Sequence, residues 1–493
     1  MPVKKYIAFD FGAESGRGIV GILEGDKIKL EEVHRFRNKQ ITIFHNSYWN
    51  VFNLFEEMKT GMKTAFEKGH KEIGSVGVDT WGVDFGVLDK EGKLLELPHS
   101  YRDPRTEGMM PKVFLKVSRE EIYKSTGIQF MEINSLYQLF SIKRTKSGKL
   151  SRAKKLLFIP DILNYFLTGE KKNEYTISST SQFLNVHSKD FDRELLEKLN
   201  LPHEILGPVV MPGEIIGEIL PEVSGETGIK GKVIAVGCHD TASAVAAVPA
   251  EGENWAYISS GTWSLIGIEN DSPIIIQKYQ NDFTNEGGVG GKIRFLRNTM
   301  GMWLIQRLRK AWEQEGGQYD YIKIASMASE AAPFKHFINP DAKIFMNPTN
   351  MQNAIDEFCA STNQPKPESK GEYARAVYQS LALKYKLIIM KVEEASGRKI
   401  EQLHVVGGGS QNELLNRLTA DAVGIPVYAG PVEATALGNI MMQAIALGDV
   451  KSVEQARQII KNSFDIKAYI PEQNEIWNEL LEKYKSIISQ GVS

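Results

Sequence analysis

Apolar residues gather in short β-branched and aromatic blocks near the start and again near the middle of the chain. YIAFDFG, from Tyr6, is followed by ESGR and then GIVGIL, which predicts two strands joined by a polar, glycine-containing turn. About 250 residues later, WAYISSGT runs into WSLIGIE and predicts the same hairpin again. That interval is far too long for a solenoid repeat, so the recurrence implies an internal duplication into two related domains. The boundary is placed near residues 246 to 254, giving domains 1–248 and 249–493. Between the hairpins, VGVDTWGVDFGVLD predicts a further strand, with Asp89 to Gly92 turning the chain into LLEL. Ala374, Val377, Leu381, Tyr385, Ile388 and Val392 step by three or four and predict a helix over 372–396 with one buried face. LHVV, the glycines Gly407 to Gly409 and NELLNRLTADAVG read as strand, glycine loop and helix start, a geometry that can receive a ligand.

The 493 residues exceed what one compact core holds, which again argues for two or three domains. Hydrophobic residues at 42% and charged residues at 24% are those of a folded, soluble protein. A formal charge of −2 leaves no global positive field for nucleic acid or an anionic membrane, so neither is expected as a partner. The seven basic residues of 143–155 then read as a solvated surface loop. Cys238 and Cys359 cannot build a disulfide framework, and no apolar run resembles a signal or membrane span, so a cytoplasmic location is expected.

DFG occurs at Asp10 to Gly12 and at Asp84 to Gly86, but the HRD loop of a protein kinase is absent. No GK pair is followed by Ser or Thr, so there is no P-loop and any nucleotide must be held another way. Asp10 ends an apolar strand, where a carboxylate needs a cation, a metal or hydrogen bonds. The turn beside it offers Ser15, Gly16 and Arg17, suited to phosphate oxygens. The second turn, Ser259 to Thr262, presents small residues and hydroxyls again, so the two turns can clamp one polyphosphate. In VIAVGCHDTASAV, Asp240 lies near a helix start, either as a cap or at a strand end where α/β sheets bind ligands. His239 reads as a core residue, a ligand to substrate oxygens or part of a metal site, and no second ligand at zinc spacing supports the last.

The strings FDFGAESGR, VDTWGVDFGVLD, GCHDTASAV, SSGTWSLIG, NEGG with RNTMGMWLIQ, and VVGGGSQN with AGPVEATALGN together resemble the FGGY family of carbohydrate kinases. That family lies in the actin, hexokinase and heat-shock-protein-70 superfamily. The resemblance implies an α/β fold of two ribonuclease-H-like domains around a central cleft, sugar toward 1–248 and ATP with Mg2+ toward 249–493. It implies that Asp240 is the catalytic base and that Gly82, His239, Thr241 and Asn298 line the sugar site with it. Asp10 is similar to the acid that holds Mg2+ through water, and Ala13, Glu14, Ser15, Gly16 and Arg17 to the first phosphate loop. Thr262 is similar to the second phosphate loop, and Gln306 and Gly408 match nucleotide-contacting positions. Glu14 departs from the family, where Ser or Thr is usual. The implied activity is ATP-dependent phosphorylation of a ketose by a monomer or homodimer. The alternative is a sugar-sensing ATPase of the same superfamily, which has no need of Asp240 and its sugar-side neighbours.

Overall fold

The structure is a computed structural model that describes residues 3–145, 148–279, 282–472 and 475–490. Lys146, one of the seven basic residues of 143–155, lies outside the described residues. The chain forms two compact units. The first comprises residues 1–249, 269–295 and 434–463, and the second residues 250–268, 296–433 and 464–493.

The first unit is organised by a six-stranded sheet in the order Ile215–Glu218, Lys232–Ile234, Ser75–Thr80, Lys4–Phe11, Ser15–Glu24, Lys27–Arg37. The opening hairpin forms as the sequence predicts, with Gly12 N–H donating to Ser15 O at 2.8 Å across the turn. Its first strand pairs in parallel with Ser75–Thr80, in a register that sets Asp10 beside Asp79. The strand predicted over VGVDTWGVDFGVLD is instead two strands, Ser75–Thr80 and Phe85–Leu88. Val83 interrupts them at φ +68°, a conformation costly for a β-branched residue. Three contacts hold it there: its N–H donates to Thr180 Oγ1 at 3.1 Å, and its carbonyl accepts from Ser135 Oγ at 2.5 Å and Gln138 Nε2 at 3.3 Å. One face of the sheet packs on the helix Val51–Glu67, whose Leu54, Met58 and Met62 join Ile7, Phe9 and Val78 in an apolar core.

The second unit is built on strands in the order Ile293–Met300, Trp263–Asn270, Trp255–Ser260, Gln402–Val406, Val427–Ala429, Lys467–Tyr469. Two of these, Trp263–Asn270 and Ile293–Met300, carry the chain between the units. The hairpin recurs with the same logic: Trp255–Ser260 is antiparallel to Trp263–Asn270 and parallel to the later strand Gln402–Val406. Gly261 N–H closes this turn onto Trp263 O at 2.8 Å. The predicted long helix spans Lys370–Ser396 and packs on the helix Glu413–Val423.

Candidate active site

In the first unit, three neighbouring chain segments end side by side and bring carboxylates together. The parallel register aligns Asp10 with Asp79, and an isolated parallel bridge aligns Thr80 with His239, next to Asp240. The cation that the strand-end position of Asp10 demands is Arg17, its register partner across the hairpin, with Nη2 2.5 Å from Asp10 Oδ2. Asp79 was missed in the sequence, although it ends an apolar strand just as Asp10 does. It is fully buried, accepts a 2.6 Å bond from Asn439 Nδ2 on Oδ2, and has no partner on Oδ1. Burial, followed by the charge of Asp10, pushes its carboxyl well above the ordinary range.

Asp240 is the first residue of the helix Asp240–Ala246, whose N-cap is His239. Its Oδ1 accepts from the N–H of Thr241 at 2.5 Å and from Thr241 Oγ1 at 3.1 Å, while about a third of its side chain (32%) remains exposed. Burial raises its carboxyl above the usual value, His239 pulls it back and Asp10 pushes it up. His239 Nε2 lies 3.4 Å from Asp240 Oδ1. A Cβ added to Gly82 would stand 3.4 Å from the same nitrogen and 3.3 Å from Thr180 Oγ1. Gly82, His239, Thr241 and Asp240 therefore converge, and any side chain at position 82 would press on the imidazole edge facing the aspartate.

Asp84 lies close in sequence to Gly82 but is turned to a different task. Its two oxygens accept from Trp49 Nε1 at 2.6 Å, Trp81 Nε1 at 3.0 Å, Tyr101 N–H at 3.0 Å and Gln138 Nε2 at 2.9 Å. At 1% exposure it is an internal brace for the Trp81–Gly82 turn. Burial still pushes its carboxyl up, to about 6.

The first turn is braced by Asn38, which donates through its side chain to Gly12 O at 2.9 Å and through its N–H to Glu14 O at 3.0 Å. Glu14 and Ser15 are exposed and Ala13 is half-buried. A Cβ at Gly16 would collide with the Phe36 ring at 2.3 Å, so this glycine makes room for an aromatic ring beneath the turn.

The second unit joins residues far apart in sequence. Thr262 Oγ1 donates to Gln306 Oε1 at 3.4 Å, and Thr262 O accepts the N–H of Gly301 and of Trp303, both at 3.1 Å. The glycine loop packs on the same hairpin: Gly407, at φ +84°, and Gly409 have no room for side chains beside Ser260. Gly408 between them is exposed and faces open space. Asn298 is half-buried on its strand, while its neighbours Arg297 and Thr299 both reach Asp341, at 3.3 and 2.6 Å.

Among the described residues no cluster of three or more His, Cys, Asp or Glu is placed to hold a metal directly. The arrangement fits a cation held through its waters, which Mg2+ prefers, because the buried Asp79 Oδ1 beside Asp10 is an unpaired acceptor. Among the described residues no helix is long and apolar enough to cross a membrane.

Two family models match: the FGGY family of carbohydrate kinases, N-terminal domain, over residues 5–247, and the C-terminal domain over 256–447. A protein of Bacteroides thetaiotaomicron named rhamnulokinase is 45% identical over 98% of this chain and 99% of its own. The Bacillus subtilis rhamnulokinase is 42% identical over 99% of each. Among solved structures, gluconate kinase and ligand-bound xylulose kinase, both from Lactobacillus acidophilus, each superpose with TM-score 0.81 at 18% identity, over 99% of this chain and 98% of theirs. With this mixed α/β, two-domain architecture, the chain belongs to the FGGY family of carbohydrate kinases.

Proposed function

We propose that this kinase transfers the γ-phosphoryl group of ATP to the O1 hydroxyl of L-rhamnulose, releasing L-rhamnulose 1-phosphate and ADP. The observation that carries the substrate is the 38–45% identity, over nearly the full chain, to relatives named rhamnulokinase. Gly82, His239, Thr241 and Asn298 orient the sugar. Asp240 accepts the hydroxyl proton as the new O–P bond forms and the bond to ADP breaks. A carboxyl raised by burial is the stronger base once ionised, which suits Asp240 to this role.

The phosphates are assigned to Ala13, Glu14, Ser15, Gly16 and Arg17, with Thr262, Gln306 and Gly408 on the nucleotide. The division of labour is sugar mainly toward 1–248 and nucleotide mainly toward 249–493. Asp10 would hold Mg2+ through the ion's waters, and the ion would supply charge neutralisation for the transferring phosphoryl group. Glu14 adds a negative charge to the first turn, so phosphate contact there falls to the backbone amides and Arg17.

A panel of ketoses in a coupled ADP-release assay tests the substrate. L-rhamnulose should lead, with leakage to ketoses sharing its upper stereocentres; L-fuculose or L-xylulose in the lead would give the alternative, a kinase for another ketose. Glycerol, lacking the hydroxyls such a site pairs, should be poorer by roughly 10⁴-fold in kcat/KM. Comparable kcat/KM for glycerol or D-xylulose would overturn the substrate while leaving the family intact. ADP release indifferent to every ketose would make the protein a sugar-sensing ATPase.

A further inference from the structure

His239 is held on the edge opposite Asp240 by a buried ion pair that the reaction itself does not call for. Arg294 is fully buried on the strand Ile293–Met300, and its Nη2 lies 3.2 Å from Glu286 Oε2 and 3.1 Å from His239 Nδ1. Glu286 Oε2 is 3.3 Å from the same imidazole nitrogen. Arg294 is itself anchored, its Nε donating to Gly287 O at 2.9 Å while Gly287 N–H donates to Ser179 Oγ at 2.7 Å. The backbone N–H of His239 donates to Thr176 Oγ1 at 3.1 Å. Burial disfavours the charge of Glu286, yet hydrogen bonding to His239 and the charge of Arg294 outweigh it and keep the carboxyl below its usual range.

A buried Arg–Glu pair adds little to stability over a well-packed apolar pair, so its presence beside one histidine calls for another reason. That reason is orientation. With the Nδ1 edge clamped by the pair and the backbone tied to Thr176, only the Nε2 edge is left to face Gly82 and Asp240.

We propose that Glu286 and Arg294 are positioning residues that fix the His239 imidazole, and through it the sugar hydroxyl presented to Asp240. The proposal rests on the reading of His239 as a sugar-side residue. Its test is a double-mutant cycle on kcat/KM for L-rhamnulose, with KM for ATP measured alongside. The first arm is Glu286→Gln with Arg294→Met, which removes both charges together and leaves no lone buried ion. A second arm, Arg294→Lys, keeps the charge and loses the planar fork, and remains informative if the first arm does not fold. Either arm should lower kcat/KM for the sugar about tenfold or more, with KM for ATP within about twofold, and should cause no further loss in a His239→Ala background. Wild-type kcat/KM, or an equal fractional loss with and without His239, would overturn it. If the wild-type enzyme does not turn over L-rhamnulose, the substrate reading fails on its own, and the same cycle is run with the ketose it does accept.

Discussion

Asp79 in the first unit and Asp341 in the second are both carboxylates drawn into the protein, and they are treated in opposite ways. Asp341 is fully provided for: Lys384 Nζ at 2.7 Å and Arg297 Nη2 at 3.3 Å supply charge, while Thr299 Oγ1 and Met300 N–H donate at 2.6 and 3.1 Å. Burial works against its charge, but Lys384 and then Arg297 hold its carboxyl below the ordinary range. Asp79 receives one amide and stands beside Asp10, and its carboxyl is pushed up. A finished cluster stabilises the fold. An acid left with one amide beside Asp10, its carboxyl pushed up by burial, is the kind of perturbed group that marks a candidate site.

The contrast can be broken most sharply at Asp240. Asp240→Asn keeps size and helix-start bonding but removes the base, so kcat should fall by roughly 10²-fold to 10⁴-fold. The melting temperature should stay within about a degree, since an asparagine side-chain oxygen still accepts from the Thr241 N–H. Near-normal turnover in the same preparation would return Asp240 to a purely structural role.

The second test moves to the complete cluster. Lys384→Met leaves Asp341 short of its nearer cation and should cost about 3 kcal/mol in urea-unfolding free energy. Turnover per folded molecule should be kept. An unchanged unfolding free energy would show that Lys384 is not what sustains Asp341.

Third is pH. The folded pKa of Asp84 is about 6 while its unfolded value is near 4, so between those limits the folded protein keeps a proton that the unfolded chain has lost. The Asp84 contribution to stability should therefore decline as pH rises from about 4 to about 6, by about 3 kcal/mol. Glu174, pushed up by burial to about 7, acts in the same direction. Asp341 has the opposite sign, its contribution present above about pH 4 and lost as pH falls through its lowered value. Urea unfolding of the wild type and of Asp84→Asn across pH 4 to 7 reads the difference; an equal slope in both would remove Asp84 as its source.

The smallest effect belongs to Asp79→Asn. It relieves carboxylate repulsion and keeps an oxygen for Asn439, so unfolding free energy should be unchanged or higher by about 1 kcal/mol. A loss of several kcal/mol would mean that the Asp79 charge is already balanced in the folded protein.

Local pattern was enough for much of this molecule. The two hairpins, the helix Lys370–Ser396 and the strand–glycine loop–helix from Gln402 to Val423 follow from apolar periodicity and turn residues close together in the chain. His239 and Asp240 could be singled out because they follow an apolar strand and open a helix, the kind of position where α/β sheets bind ligands. The interruption at Val83 could not be read, because its left-handed backbone is held by Thr180, Ser135 and Gln138, far along the chain. Nor could the sequence show how Asp84 is enclosed, since only packing surrounds it with two indoles, an amide and a backbone N–H.

Sequence alone determined most of the elements and their order, because these rest on interactions a few residues long, while the roles expected of the candidate site residues follow from the family resemblance. Tertiary structure decided which acids are paired. Arg17 on Asp10, Lys384 on Asp341, and Arg294 with Glu286 on His239 are partners chosen by strand register and helix packing, contacts between positions that local pattern does not bring together.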